Sequence, residues 1–321
     1  MFALVTTVPA AAAGDPSGHP DTAGTATAGV TATTSDGSTV DSPAAVAKVL
    51  HYWTPERMRN AIPADVVDRN PGTARSVGHP TGPPGEIPPG LARTSQTSTQ
   101  LAESPAVGRV FFHNPTDNKD YGCSASALNS VSKQLVLTAG HCVNTGGNGS
   151  VAGAWMENWI YVPAYRSHSE PYGEFVAFHL HTFNAWINSK DHTRDVGMVA
   201  TMRNNGRQLA NVTGSMGMRW NIAAEEAVTV LGYPTNIDNG EIQDWCTGNT
   251  SVVQGQPGVI KIGCNFGPGA SGGPWLVAYN EALHIGDANG VSSTVNSSGV
   301  NKSPYFDTFV KSMYDIVGTM Q

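Results

Sequence analysis

The sequence predicts an all-β protein of many short strands, finished by one C-terminal helix. Three observations carry this expectation. From Val107 onward, short apolar runs recur between turns rich in Gly, Asn and Pro, as in sandwiches and barrels. Charged residues are only 13%, and Ser, Thr, Asn and Gly stand in their place. Near the end, Phe306, Phe309, Val310, Met313 and Val317 fall on one helical face after Ser303-Pro304, a start signal followed by amphipathic spacing.

The chain begins with an apolar stretch, Phe2 to Val8, then Pro9 and four alanines. This reads as the end of a secretory signal (residues 1–13), cleaved before Gly14. No apolar run approaches the ~18 residues of a membrane helix. Residues 14–104 are rich in Pro, Gly, Thr, Ser and Ala, with Tyr52 and Trp53 as their aromatic residues. Such a composition buries too little apolar surface to offset its ordering entropy, so this stretch is expected to be largely disordered. Two short helices interrupt it. Ser42-Pro43 opens 43–53, with Val46, Val49, Leu50 and Trp53 at helical spacing, and Thr54-Pro55-Glu56 opens 55–61.

Val107 to Phe112 is the first expected strand. Gly122 to Leu128 and Gln134 to Thr138 read as a hairpin around Asn129-Ser130. That hairpin would bring Cys123 beside Cys142, closing a loop of about twenty residues worth roughly 3 kcal/mol. Further strands are expected at Trp159–Val162, Phe175–Leu180, Val196–Ala200, Ala227–Leu231, Gln243–Thr247, Val259–Cys264, Trp275–Val277 and Leu283–Gly286. Four cysteines are compatible with two disulfides and an oxidising compartment, in any of three pairings. The net charge, 18 − 25 = −7, does not suggest a nucleic-acid binder.

Two strings carry chemistry. Residues 264–275 read Cys-Asn-Phe-Gly-Pro-Gly-Ala-Ser-Gly-Gly-Pro-Trp. Glycines around Ser271 let the backbone bend sharply and let another group approach. The N–H groups of Gly269 and Ser271 could then turn toward one oxyanion. Residues 135–142 read Leu-Val-Leu-Thr-Ala-Gly-His-Cys, an apolar run ending in a histidine that a neighbouring cysteine could pin. The Gly269–Gly273 string also matches the nucleophile elbow of α/β-hydrolases. That fold needs Asp and then His after the serine, and here only His284 follows, thirteen residues on.

Together the two strings resemble those of the chymotrypsin-fold serine endopeptidases, over residues 107 to about 317. The resemblance implies two six-stranded antiparallel β-barrels, about 107–205 and 206–302, with the site between them and a C-terminal helix at 303–318. The peptidase domain is then 105–321. It makes Ser271 the nucleophile and His141 the general base. Asp195, which opens the run Val196-Gly197-Met198-Val199-Ala200, becomes the orienting carboxylate, with Asp191 as its rival. The family's string has alanine where Gly197 stands.

Ala270 replaces the aspartate that precedes the serine in the trypsin branch, and Cys264 lies seven residues before Ser271. Both departures resemble the bacterial glutamyl-endopeptidase branch, as do Gly290-Val291-Ser292-Ser293 and Ser303-Pro304-Tyr305-Phe306. The favoured pairings are Cys123–Cys142 and Cys246–Cys264, each closing a hairpin. Asn265 and Asn289 would line the primary specificity pocket. Glutamyl-specific relatives carry a pocket-facing histidine where this chain has Asp287, Ala288 and Asn289, so acidic specificity is not implied.

The string Trp53 to Met58 resembles propeptides of secreted bacterial peptidases. It makes 14–104 a propeptide, removed to leave a start near Ser104 to Gly108. Expected partners are protein or peptide substrates and the propeptide itself, with neither nucleic acid nor membrane, for a secreted monomer. His179 and His181 alternate on one strand, but no third ligand stands at matching spacing, so no metal and no cofactor are expected. The competing function is a binding protein on the same fold with its chemistry lost.

Overall fold

Turn residues set the strand boundaries, and β-branched and aromatic residues fill the strands between them. The computed structural model describes residues 25–64, 82–93 and 103–321; the signal-like residues 1–13 lie outside them. The N-terminal segment contributes β1 (Thr27–Thr31), α1 (Pro43–Tyr52), α2 (Pro55–Asn60), β2 (Ile62–Pro63) and β3 (Gly85–Ile87). Then follow β4 (Val107–Asn114), β5 (Lys119–Leu128), β6 (Leu135–Thr138), β7 (Glu157–Pro163), β8 (Phe175–Phe183), α3 (Asn184–Ser189) and β9 (Gly197–Thr201). The second half holds α4 (Leu209–Thr213), β10 (Gly217–Trp220), β11 (Ala227–Gly232), β12 (Asp244–Asn249), β13 (Ser251–Val252) and β14 (Val259–Ile262). It ends with β15 (Pro274–Asn280), β16 (Ile285–Val291), β17 (Thr294–Val295), β18 (Asn301–Pro304) and α5 (Thr308–Val317).

The first half closes on itself. Its strands run β8-β7-β4-β5-β6-β9, and β9 returns to β8. Closure leaves open edges only where a neighbouring strand stops short, and every residue of β9 is buried. The second half forms two sheets, β12-β11-β15-β16-β10-β3 and β13-β14-β18-β17. Val230, Ile260, Phe266, Trp275 and Val277 share the core between them.

Both expected disulfides are formed, Cys123–Cys142 and Cys246–Cys264. The first closes the β5–β6 hairpin region. The second does not close a hairpin: Cys246 lies on β12 and Cys264 follows β14, which belong to different sheets, so the bond staples one sheet to the other.

Where they are described, residues 14–104 hold the two expected helices and, beyond them, three short strands. Each strand of the N-terminal segment fills an edge that a neighbour leaves open. β1 pairs with Thr182 and its neighbours on β8, beyond the point where β7 stops. β2 pairs with Tyr121 and Gly122 on β5, short of the point where β6 begins, and β3 extends the second half at β10. Val40, Val49, Trp53 and Met58 of this segment are buried within the barrel's own core cluster. Composition alone could not see this, because the apolar surface that orders the segment belongs to the barrel. The C-terminal helix, in turn, starts at Thr308 rather than 303. Asp307 caps it by accepting from the Phe309 and Val310 N–H groups, while Ser303 and Pro304 pair with β14 as strand.

Candidate active site

His141 sits in the turn after β6, and Asp195 in the turn before β9. β6 and β9 are paired neighbours, with Thr138 opposite Gly197, so the ladder sets the two side chains against each other. His141 Nδ1 is 2.8 Å from Asp195 Oδ2, and the His141 backbone N–H donates to Asp195 Oδ1 at 2.8 Å. With the carboxylate ionised, Nδ1 carries the proton and Nε2 is the basic nitrogen. Nε2 is buried with no partner among the described residues.

Small residues make this contact possible. A Cβ on Gly140 would lie 3.0 Å from Asp195 Oδ1, and one on Gly197 would lie 2.7 Å from the Ala139 carbonyl oxygen. That close approach explains glycine at 197 where the family string has alanine.

Asp195 is fully buried. Burial is the strongest influence on it and favours the neutral acid. The charge of His141 and hydrogen bonds from His141 and Ser293 outweigh that, and hold its pKa below the usual carboxylate value. The Ser293 hydroxyl donates to Asp195 Oδ2 at 2.6 Å. The neighbouring Arg194 is itself pinned. Its guanidinium donates to Asp307 Oδ2 at 2.6 Å, with both side chains 3% exposed, and it lies over the Phe183 and Phe309 rings. Asp191, the rival, accepts from the Thr193 N–H and hydroxyl and caps the short turn His192–Arg194. It serves the turn and does not reach His141.

Ser271 lies in the tight bend between β14 and β15. Gly269 and Gly272 have φ of +88° and +82°, values that glycine reaches without strain. A Cβ on Gly272 would lie 2.1 Å from Thr138 Oγ1, so the bend packs directly on the His141-bearing strand. The bend is held from both halves. The Ser271 carbonyl accepts from the Ser124 N–H at 2.7 Å, the Gly269 carbonyl from the Ser124 hydroxyl, and the Pro268 carbonyl from Thr235. Among the described residues the Gly269 and Ser271 N–H groups have no acceptor.

A void of about 10 Å³ beside Ser271 is bordered by Phe266, Ser292, Thr294, Val295 and Asn301. Asn265 takes a left-handed turn (φ 55°) and donates its N–H to Gly299. Asn289 is a buried residue within β16. Asn301, on the wall of this void, exchanges two hydrogen bonds with the Phe266 backbone. Reasoning from sequence missed Asn301 and Ser293. Ser293 stood in a quoted string without a role, and Asn301 carries no local signal.

The remaining candidates fall elsewhere. His179 and His181 contact each other at 3.2 Å beneath Gly29 of β1. Burial lowers both pKa values, that of His181 to about 4, with His179 adding to it. His192 packs on the Trp186 ring. Cys123, His141 and Cys142 converge, but both sulfurs are in the disulfide and neither is a thiolate ligand.

The architecture is chymotrypsin-like. Residues 122–283, half of the chain, match the family model described as a trypsin-like peptidase domain. The chain belongs to that family and is a serine endopeptidase. It is similar to the protease Anisep from Arthrobacter nicotinovorans, with 31% identity over 68% of this chain and 98% of that one and a TM-score of 0.63. It is also similar to the thermostable serine protease AL20 from an extremophilic microorganism, with 28% identity over 69% of this chain and all of that one and a TM-score of 0.63. A Glu endopeptidase shares the fold at 16% identity, covering 72% of this chain and 97% of that one, with a TM-score of 0.52. No curated protein matches the chain.

Proposed function

We propose that this protein is a secreted endopeptidase that cleaves peptide bonds with a Ser271–His141–Asp195 triad through an acyl-enzyme. Ser271 Oγ attacks the scissile carbonyl and His141 Nε2 accepts its proton. The Gly269 and Ser271 N–H groups receive the oxyanion. His141 returns the proton to the leaving amine, and a water repeats the sequence to free the acid. The observation that carries this reading is the two-point contact of His141 with fully buried Asp195, Nδ1 to Oδ2 and N–H to Oδ1, each 2.8 Å. It fixes the tautomer that leaves Nε2 basic. Both disulfides fit an oxidising, extracellular setting, and no described helix is long and apolar enough to cross a membrane.

Residues 14–104 act as a propeptide, and the mature chain is a monomer beginning near Ser104. Ala270 is buried and offers no charge to a freed α-amino group. A buried ammonium without a partner costs several kcal/mol, so the Ser124 and Thr235 contacts hold the oxyanion bend instead.

The test is Ser271→Ala. It should lower kcat by on the order of 10⁴-fold or more, and a fluorophosphonate should label the parent at Ser271 and leave the variant unlabelled. A variant keeping a tenth of the activity would remove Ser271 from the mechanism.

A further inference from the structure

One edge of β5 serves two tenants. At Ser124 its backbone N–H donates to the Ser271 carbonyl at 2.7 Å, and at Gly122 its carbonyl accepts from the Ala64 N–H at 2.8 Å. Residues 122 and 124 point their backbone groups to the same side of the strand and lie about 7 Å apart. Pro63 also faces the oxyanion bend: a Cβ on Gly269 would lie 3.7 Å from Pro63 Cβ. The N-terminal segment therefore lies immediately beside the serine, along the edge that carries the serine's own backbone.

A substrate held with its scissile carbonyl at Gly269 and Ser271 must continue past that point. A leaving-group segment running along β5 from Ser271 toward Gly122 would span that ~7 Å with two extended residues. We propose that residues Ile62–Ala64 are a built-in competitor for this edge, excluding the leaving-group side of a peptide substrate while leaving the acyl side open. The inference rests on Ser271 being the nucleophile.

The way the segment is held suits a displaceable competitor. Upstream it is anchored firmly. Trp53 and Met58 are buried, the Trp53 indole donates to the Asn158 carbonyl, and Tyr52 and Arg57 both bond Asp120. At the edge itself the grip is short: the Ala64 N–H bonds Gly122 and its side chain is buried, while Ile62 is 40% exposed. The anchors keep the local concentration of the competitor high, and the weak terminal grip allows exchange with a substrate.

The experiment uses the full chain and two substrates that share one acyl sequence, selected from a casein digest. One is a p-nitroanilide, which ends at the scissile bond. The other is an internally quenched peptide that runs four residues further. Ala64→Pro removes the N–H that bonds Gly122, and Ala64→Gly keeps it as a control. Ala64→Pro should raise kcat/KM for the long peptide about 5- to 10-fold, the worth of one backbone hydrogen bond, and leave the anilide unchanged. Ala64→Gly should move neither. Equal gains on both substrates, or no gain on the long one, would overturn the inference. Loss of anilide hydrolysis in Ser271→Ala, measured alongside, tests the nucleophile separately. As a second readout, a saturating long peptide bound to the Ser271→Ala chain should speed hydrogen exchange at the Ala64 amide. Unchanged protection with peptide bound would also overturn it.

Discussion

The two halves of the molecule solve the same problem differently. The first closes six strands into a ring and buries its disulfide completely, with Cys123 and Cys142 both at 0% exposure. The second leaves two sheets that meet across a core, stapled by a half-buried disulfide from Cys246 to Cys264. The division suits the chemistry proposed above. The His141–Asp195 contact needs rigid, dry surroundings, and the closed ring supplies them through the β6–β9 ladder. The bend at Ser271 needs glycine conformations that no regular strand allows. It is therefore placed in a loop of the more open half and pinned back to the ring by Ser124. The lesson is that the closed half sets where the acid–base pair sits, and the open half is shaped to meet it.

The sharpest test of this contrast uses the disulfides. Their sequence separations, 19 and 18, are nearly equal, so loop entropy assigns each roughly 3 kcal/mol. Any difference between them must then come from surroundings. Replacing Cys123 and Cys142 together by alanine should cost more stability than replacing Cys246 and Cys264, and should abolish activity, because Cys142 is adjacent to His141. Under native conditions a mild thiol should open Cys246–Cys264 first, read by mass spectrometry of alkylated peptides. Simultaneous reduction of both bonds would mean that the halves do not differ in rigidity.

A smaller effect probes the seam between the halves. Ser293, from the open half, donates to Asp195 in the closed half. Ser293→Ala removes one hydrogen bond to an ionised group and should lower kcat about tenfold with KM nearly unchanged. A change in KM alone would place Ser293 in substrate binding and not in support of Asp195.

A third test concerns a loop at the rim of the closed half. Burial, with Glu170 adding to it, raises the pKa of Glu174 from 4.5 to about 8, and its Oε1 is buried with no partner among the described residues. The folded state thus holds a proton that the unfolded state gives up. The stability this confers is complete below about pH 4.5 and is lost as pH rises through about 8. Glu174→Gln should melt with the parent at about pH 5 and above it at about pH 8.5, measured by calorimetry. Asp195 has the opposite sign. Its lowered pKa contributes stability above the unfolded carboxylate value, and that is lost as pH falls through the lower folded value. A parent and Glu174→Gln that stay superimposed at alkaline pH would show that the loop opens without cost.

Much of this was legible in the residues, and the failures have a common cause. The short strands, the hairpin carrying Cys123, and the strings holding His141 and Ser271 rest on local spacing, and the described elements fall within a few residues of those expectations. Counting back from Ser271 puts Asn265 in the pocket, but counting cannot see the local backbone. The chain turns left-handed at Asn265 and brings in Asn301, 35 residues from Phe266. The C-terminal helix was started too early because Ser303-Pro304 has the composition of a cap, while the strand pairing to Val259 claims those residues first.

What the sequence determined by itself is whatever a few neighbouring residues decide through their own conformational preferences. These are the alternation of strands and turns, the glycine bend around Ser271, the caps of α1 and α2, and the proximity of Cys123 to Cys142. The tertiary structure alone decided which distant groups share one space. It brought Ser293 to Asp195 across 98 residues, placed Gly197 under the Ala139 carbonyl, and ordered the N-terminal segment on edges of strands that lie far downstream. The physical reason is that an open backbone edge and a shared apolar core exist only once the barrel has closed. A segment too polar to fold on its own becomes ordered when another part of the chain supplies the missing surface and hydrogen-bond partners.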